Sequence, residues 1–264
     1  MSAIRVMTDD DDEKSSSTTA IALAVLAIVV ALFTVRFGLQ TLTWVEGKMW
    51  ASQSPWLNFV PQPLPAPTPV ASAGPQLKAY DFEVNAPWPG EPKPVPTEAY
   101  VAFHYASGQI LVFFDPGAQL DTLRSIQNSN PAEFERFTNV FVDKPINSNF
   151  ELYRDVYGAA PAQASPLMDA RDASRLNVLL LWKLAFGMDL PASTGFYSYD
   201  WNNIHGFQFG DPAKGVPVAL RAFDDRSHQF RFVLATAPGS NVKITQDDID
   251  KILQTIQPVP FVDR

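Results

Sequence analysis

An acid, an imidazole and a hydroxyl within eight residues are the first chemistry this chain offers. The stretch "GFYSYDWNNIHGFQFGDP", Gly195 to Pro212, carries Ser198, Asp200 and His205. Asn202-Asn203 can form the two-residue turn of a hairpin, because Asn tolerates the positive φ of a type I′ turn. Asp200 then stands opposite His205, and Ser198 opposite Phe207. A carboxylate so placed can orient an imidazole as a general base. Ser198 lies along the same face and completes a triad on paper, but no oxyanion hole is visible. Beside a turn, such a pair is more often a surface contact worth under about 1 kcal/mol. No catalytic residue is assigned.

The same register sorts the aromatic side chains. Phe196, Phe207 and Phe209 share a face with Asp200 and His205, and the three rings mark it as core. Tyr197, Tyr199, Trp201, Ile204 and Gln208 share the other. Tyr and Trp have apolar bodies and polar tips, so a helix could cover that face or a ligand could use it. Tyr197, Tyr199 and Trp201, with Asp200 and His205, are the candidate ligand or partner surface.

Other chemistries find little support. There are no cysteines, which excludes thiolate catalysis, iron–sulfur clusters and Cys-based zinc sites. His104, His205 and His228 are far apart in the sequence and fall in expected strands, so nothing in their spacing supports a three-His zinc site. No phosphate-binding loop, dinucleotide glycine pattern, H-E-x-x-H or G-x-S-x-G is present. No metal or cofactor is expected. From Leu77 onward, 16 basic side chains stand against 22 acidic ones, a net of −6. That balance argues against nucleic-acid binding, which needs cations to replace phosphate counterions.

The elements that would position these residues follow from periodicity. "LKAYDFEV" (77–84) alternates and reads as a strand, and "AYVAFHY" and "QILVFFD" read as a hairpin joined by "ASG". A helical stretch follows at 118–127. Another is capped by Asn130-Pro131 and shows Phe134, Phe137 and Phe141 on one face. A third has Ser148 or Asn149 as cap, Leu152 and Val156 inward, and Gly158 at its end. "DASRLNVLLLWKLAFG" (172–187) is the strongest helix, with an apolar stripe at 176, 179, 180 and 184. "VPVALRAF" and "HQFRFVLAT" form a second late hairpin. The last helix has Thr245 as cap, Asp248 as capping-box acid, an Ile244–Ile249 staple, and Ile249, Ile252, Leu253 and Ile256 buried. The expected fold is α+β: one domain, 77–264, with a mainly antiparallel sheet packed by helices. The final hairpin and helix resemble the end of small envelope domains of the PsbP type. No diagnostic motif accompanies the resemblance, and no residue role is carried over.

Residues 1–76 read differently. An acidic polar tail, 1–19, precedes "AIALAVLAIVVALFTV", Ala20 to Val35, which has no charged side chain. Extended to Leu42, a 20–42 helix reaches about 34 Å, enough for a hydrocarbon core of about 30 Å. Arg36 would extend toward the headgroups, and Trp44 and Trp50 fit an interfacial belt. Arg36, Phe37 and Leu39 after the apolar run argue against a cleaved signal peptide. Residues 43–76 are expected as juxtamembrane segment and linker, and Pro61 to Pro75 as a polyproline spacer. "APWPGEPKPVPT" (86–97) is expected as an ordered loop. The expectation is a single-pass membrane protein with the domain outside the cytoplasm. It would meet the bilayer through 20–42 and bind another envelope or membrane protein without catalysis. The alternative is small-ligand binding or hydrolysis at the 195–210 hairpin.

Overall fold

The computed structural model describes residues 10–69, 74–80, 82–115, 127–128, 131–187, 191–201, 204–226 and 228–258. Within the first helix, side chains are described from Leu26 on, except at 32, 33, 35 and 36. The 1–9 part of the expected tail, all but the last position of the expected 118–127 helix, and the Asn202-Asn203 turn lie outside the described residues.

The chain is a mixed α+β protein built on one large sheet. Eight strands run in the spatial order β1 (Gln62–Pro63), β7 (Phe196–Trp201), β8 (Ile204–Phe209), β9 (Val218–Asp224), β10 (Gln229–Thr236), β6 (Gln109–Phe114), β5 (Tyr100–His104) and β4 (Lys93–Pro96). Every neighbouring pair is antiparallel except β1–β7. A smaller sheet holds β2 (Gln76–Ala79), β3 (Phe82–Asn85) and β11 (Gln257–Pro258) in the order β11-β3-β2.

Strand alternation gives the large sheet two apolar faces, and each is covered. Phe113, Tyr199, Trp201, Leu220 and Phe232 face the small sheet and α5 (Gln246–Gln254), which contributes Ile249, Ile252 and Leu253. Phe196, Phe207, Phe209, Ala219 and Phe223 face the helical layer. That layer holds α2 (Pro131–Val140), α3 (Asn149–Gly158), α4 (Ala170–Phe186) and the C-terminal part of α1 (Asp10–Gln53).

The helix caps are those the residue types demand. Ser148 Oγ accepts the Glu151 N–H at the start of α3, and Asp169 accepts the Arg171 N–H at the start of α4. Thr245 and Asp248 form the reciprocal capping box of α5. Gly187 closes α4 at φ 61°, where a Cβ would be strained.

Three expectations are corrected. "LKAYDFEV" is two strands: the buried set moves from Leu77 and Ala79 to Phe82 and Val84, an odd-to-even slip around Tyr80 at φ 53°. A single strand cannot make that slip, because its side chains alternate with period two. The 86–97 loop contains β4, an edge strand beside β5. The expected linker is not free over its first half. Leu57 is fully buried in a 3₁₀ turn at Pro55–Asn58, Gln62 and Pro63 pair with Tyr197 and Ser198, and the Leu64 N–H donates to the Ser198 carbonyl.

Trp44 and Trp50 pack against the helical core rather than standing free. Among the described residues no helix is long and apolar enough to cross a membrane. Residues 20–25, the first part of the apolar run, have no described side chains.

Candidate functional site

β7 and β8 pair in the expected register: Phe196 with Phe209, Ser198 with Phe207, Tyr199 with Gly206, Asp200 with His205 and Trp201 with Ile204. Asp200 and His205 therefore meet on the helix-side face. His205 Nδ1 lies 2.6 Å from Asp200 Oδ1. A second carboxylate, absent from the sequence reading, comes from the β9–β10 turn, where Asp225 Oδ1 lies 3.3 Å from His205 Nε2. The Phe150 ring of α3 stacks on the imidazole at 4.9 Å and 26°.

This arrangement is a clasp, with each ring nitrogen of His205 facing a carboxylate oxygen, so neither nitrogen is turned to open space. The clasp joins two hairpin turns to the start of α3. Both carboxylates reach solvent, with side chains 76% and 66% exposed, so the ion pairing itself contributes little. Asp225 could be found in the sequence only by knowing that β9 lies beside β8, which local spacing does not reveal.

The aromatic face is closed. Tyr199 and Trp201 are 2% and 5% exposed, in the core beneath the small sheet and α5. Burial pushes the Tyr199 phenol well above its ordinary pKa, and its O–H donates to the Arg221 carbonyl at 3.4 Å. A Cβ on Gly206 would stand 2.7 Å from Tyr199 Cζ, so this ring needs glycine opposite it. Only Tyr197 is half-exposed. Its hydroxyl donates to Asp211 Oδ2 at 3.4 Å, and burial first, then Asp211, raises its pKa. No ligand can reach a continuous Tyr197–Tyr199–Trp201 surface in this structure.

The three histidines do not converge. His104 on β5 is four strand spacings from His205 on β8, about 19 Å at the usual separation. His228 pairs with Asp224 at 2.8 Å. Among the described residues no group of three or more His, Asp or Glu could hold a metal ion. An open cleft of about 460 Å³ lies between the β8–β9 and β10–α5 connections. Pro212, Val216, Pro217, Thr236, Ser240 and Lys243 line it, with no acid or imidazole to work with.

The least ordinary ionisable group stands outside the stripe at 176, 179, 180 and 184 that periodicity gives. Lys183 belongs to the buried stripe of α4 with Ala173, Leu176, Leu179 and Leu180, while Leu184 is only half-buried. Its ammonium has no solvent exposure and faces four carbonyl oxygens. Phe59 lies at 2.7 Å, Leu57 at 3.3 Å, Tyr157 at 3.0 Å and Ala159 at 2.6 Å. Two belong to the end of α3, whose last carbonyls lack helical partners. The other two belong to the Pro55–Phe59 segment, so Lys183 pins the N-terminal region to the helical layer. Burial lowers its pKa from 10.5 to about 7. Its three hydrogens have four carbonyl acceptors to share, which suits a structural tie.

No protein-family model, no curated protein and no solved structure matches this chain.

Proposed function

We propose that this is a single-pass membrane-anchored protein whose α+β domain is a non-catalytic interaction or assembly module of the cell envelope. The observation that carries the reading is α1. One unbroken helix, Asp10–Gln53, includes the whole uncharged run Ala20–Val35 and continues into the helical layer of the domain. Leu26, Ile28, Val29 and Val30 are 55–59% exposed along it, which suits a lipid-facing helix. The non-catalytic part rests on His205, whose two nitrogens are both engaged, and on the closed Tyr199/Trp201 face. The partner is another envelope or membrane protein.

The extracytoplasmic placement rests on sequence alone, on the proline-rich stretch that follows the anchor. The test uses the full chain in its own membranes. It is expected to stay in the pellet after alkaline carbonate extraction, with a C-terminal epitope digested by protease added to intact cells. Release into the carbonate supernatant would overturn the anchor. Protection in intact cells with digestion after lysis would place the domain in the cytoplasm. Crosslinked affinity capture is expected to retain a stoichiometric membrane partner. Turnover of a small substrate that disappears with His205→Ala would overturn the non-catalytic reading.

A further inference from the structure

Leu167 and Val142 are the most exposed large apolar side chains among the described residues, at 80% and 64%. Neither belongs to α1, and the fold brings both to one place. Val142 precedes Asp143, whose carboxylate pairs with Arg171 in the first turn of α4. Leu167 lies in the turn that leads into α4, where the Met168 N–H donates to the Ser165 carbonyl and Asp169 caps the helix. Phe141 and Met168, their neighbours in the chain, pack into the helical core. Val142 and Leu167 are thus left outside together, at the N-terminal end of α4.

α1 shows which way that end faces. Glu46 accepts a hydrogen bond from Asn177, a Cβ on Gly47 would stand 3.8 Å from Leu180, and the Leu57 carbonyl accepts from Lys183. The contacts advance together along both segments, so α1 and α4 are parallel neighbours. Ala170, seven residues before Asn177, is therefore level with Leu39, seven before Glu46. Counted from Ala20 at about 1.5 Å per residue, a hydrocarbon core of about 30 Å ends near Gln40. The start of α4 stands where α1 leaves the hydrocarbon. The surroundings of α1 change at the same level: Leu26, Ile28, Val29 and Val30 are exposed, whereas Gln40 and Thr43 are buried against the domain. The rest of α4 rises away, and Leu181, eleven residues after Ala170, is about 16 Å further out.

We infer that the N-terminal end of α4 is seated on the bilayer, with Leu167 and Val142 in the boundary between headgroups and acyl chains. The juxtaposition of these two side chains with the end of the hydrocarbon-length part of α1 carries the inference, which rests on the anchoring reading. Charge does not drive the seating. Lys144, Arg171 and Arg175 stand against Asp143, Asp169 and Asp172 around the pair, a balance of three to three. An apolar contact without excess cations needs no anionic lipid. A second contact beside α1 also keeps the domain from swinging about the helix.

The chain has no cysteine, so single-cysteine variants carry one label each. The test places full-length chains in phosphatidylcholine vesicles that hold a nitroxide quencher on the acyl chain. A fluorophore is attached in turn at Val29→Cys, Val142→Cys, Leu167→Cys and Leu181→Cys, all exposed positions. Strong quenching is expected at 29. Quenching at 142 and 167 is expected at about five-fold that at 181, because an interfacial group lies about 5–10 Å into the boundary and position 181 about 16 Å beyond it. Salt is expected to leave the pattern unchanged. Quenching at 29 with none at 142 and 167 would overturn the seating and leave the anchor standing. Equal quenching at 142, 167 and 181, or loss at 142 and 167 in high salt, would do the same. A surface reserved for a protein partner gives the unquenched result, since the vesicles hold no other protein. No quenching at 29 would overturn the anchor and the seating with it.

Discussion

Lys183 gathers four carbonyl oxygens from two segments, the end of α3 and the Pro55–Phe59 stretch. Lys183→Met keeps the length and removes the donors, leaving buried acceptors in both segments. It is expected to cost about 3 kcal/mol in denaturant unfolding, typical of orphaned buried partners. The same residue sets a pH dependence. Its pKa is about 7 folded and near 10.5 when freed by unfolding. Between those values the unfolded chain holds the extra proton, so stability rises with pH through that window and levels off below about 7. The difference in slope between the natural chain and Lys183→Met isolates the effect, at roughly 1 kcal/mol per pH unit. The sequence hid this residue because a lysine three positions after Leu180 reads as the solvent side of a stripe. What pulls it inward is non-local: orphan carbonyls at the end of α3 and beside Leu57. His205 is the reverse case. Its pairing with Asp200 was legible from hairpin register, but its second carboxylate was not. His205→Ala is expected to cost about 1 kcal/mol, mostly the lost stacking on Phe150. A loss of 3 kcal/mol or more in the same unfolding measurement would show the clasp to be a principal tie of the fold.

At the scale of elements, local chemistry decided what could be read. The 196–209 hairpin, the 218–236 hairpin and the Thr245 capping box stand where alternation and capping residues put them. Proline misled. Pro61, Pro63, Pro65, Pro67 and Pro69 occupy every second position, as do Pro94 and Pro96. Such runs read as polyproline because Pro cannot donate to a ladder. Yet a strand sends alternate N–H groups to opposite edges, and only one edge needs them. The Leu64 and Thr97 N–H groups bond inward, to Ser198 and Tyr100, so Pro63 and Pro96 face outward, with Pro94 in the same phase as Pro96. β1 and β4 are the two outermost strands of the large sheet, so prolines remove outward donors at both edges. This blunts the edges against pairing with other chains. Replacing Pro94 and Pro96 together by Thr restores two outward donors. The variant is expected to fold with a similar unfolding midpoint but to aggregate faster in light scattering. Unchanged aggregation would show that β4 is protected by something other than its prolines.

For the whole molecule, the consequence concerns where the domain begins. Composition places its start near Leu77, where the proline-rich stretch gives way to alternation. Packing places it earlier. Leu57 is fully buried, Trp44 and Trp50 lie on the helical core, β1 covers the edge of β7, and two of the four Lys183 carbonyls come from Leu57 and Phe59. A chain beginning at Leu77 loses all of these at once. Burying one Leu side chain contributes about 2 kcal/mol, and an uncompensated buried ammonium costs about as much again or more. The shortened chain is thus expected to lose at least about 4 kcal/mol, a large share of the 5–15 kcal/mol typical of a domain. It is expected to melt well below the full chain in detergent, or to be insoluble. A chain beginning at Leu39 retains these contacts and is expected to melt close to the full chain. Equal melting of the Leu77 chain would show residues 43–69 to be an accessory layer. A deficit would show that the helix proposed to enter the bilayer also completes the core, so that anchor and domain form one mechanical unit. In that case the orientation of α1 in the membrane fixes the orientation of the sheet above it.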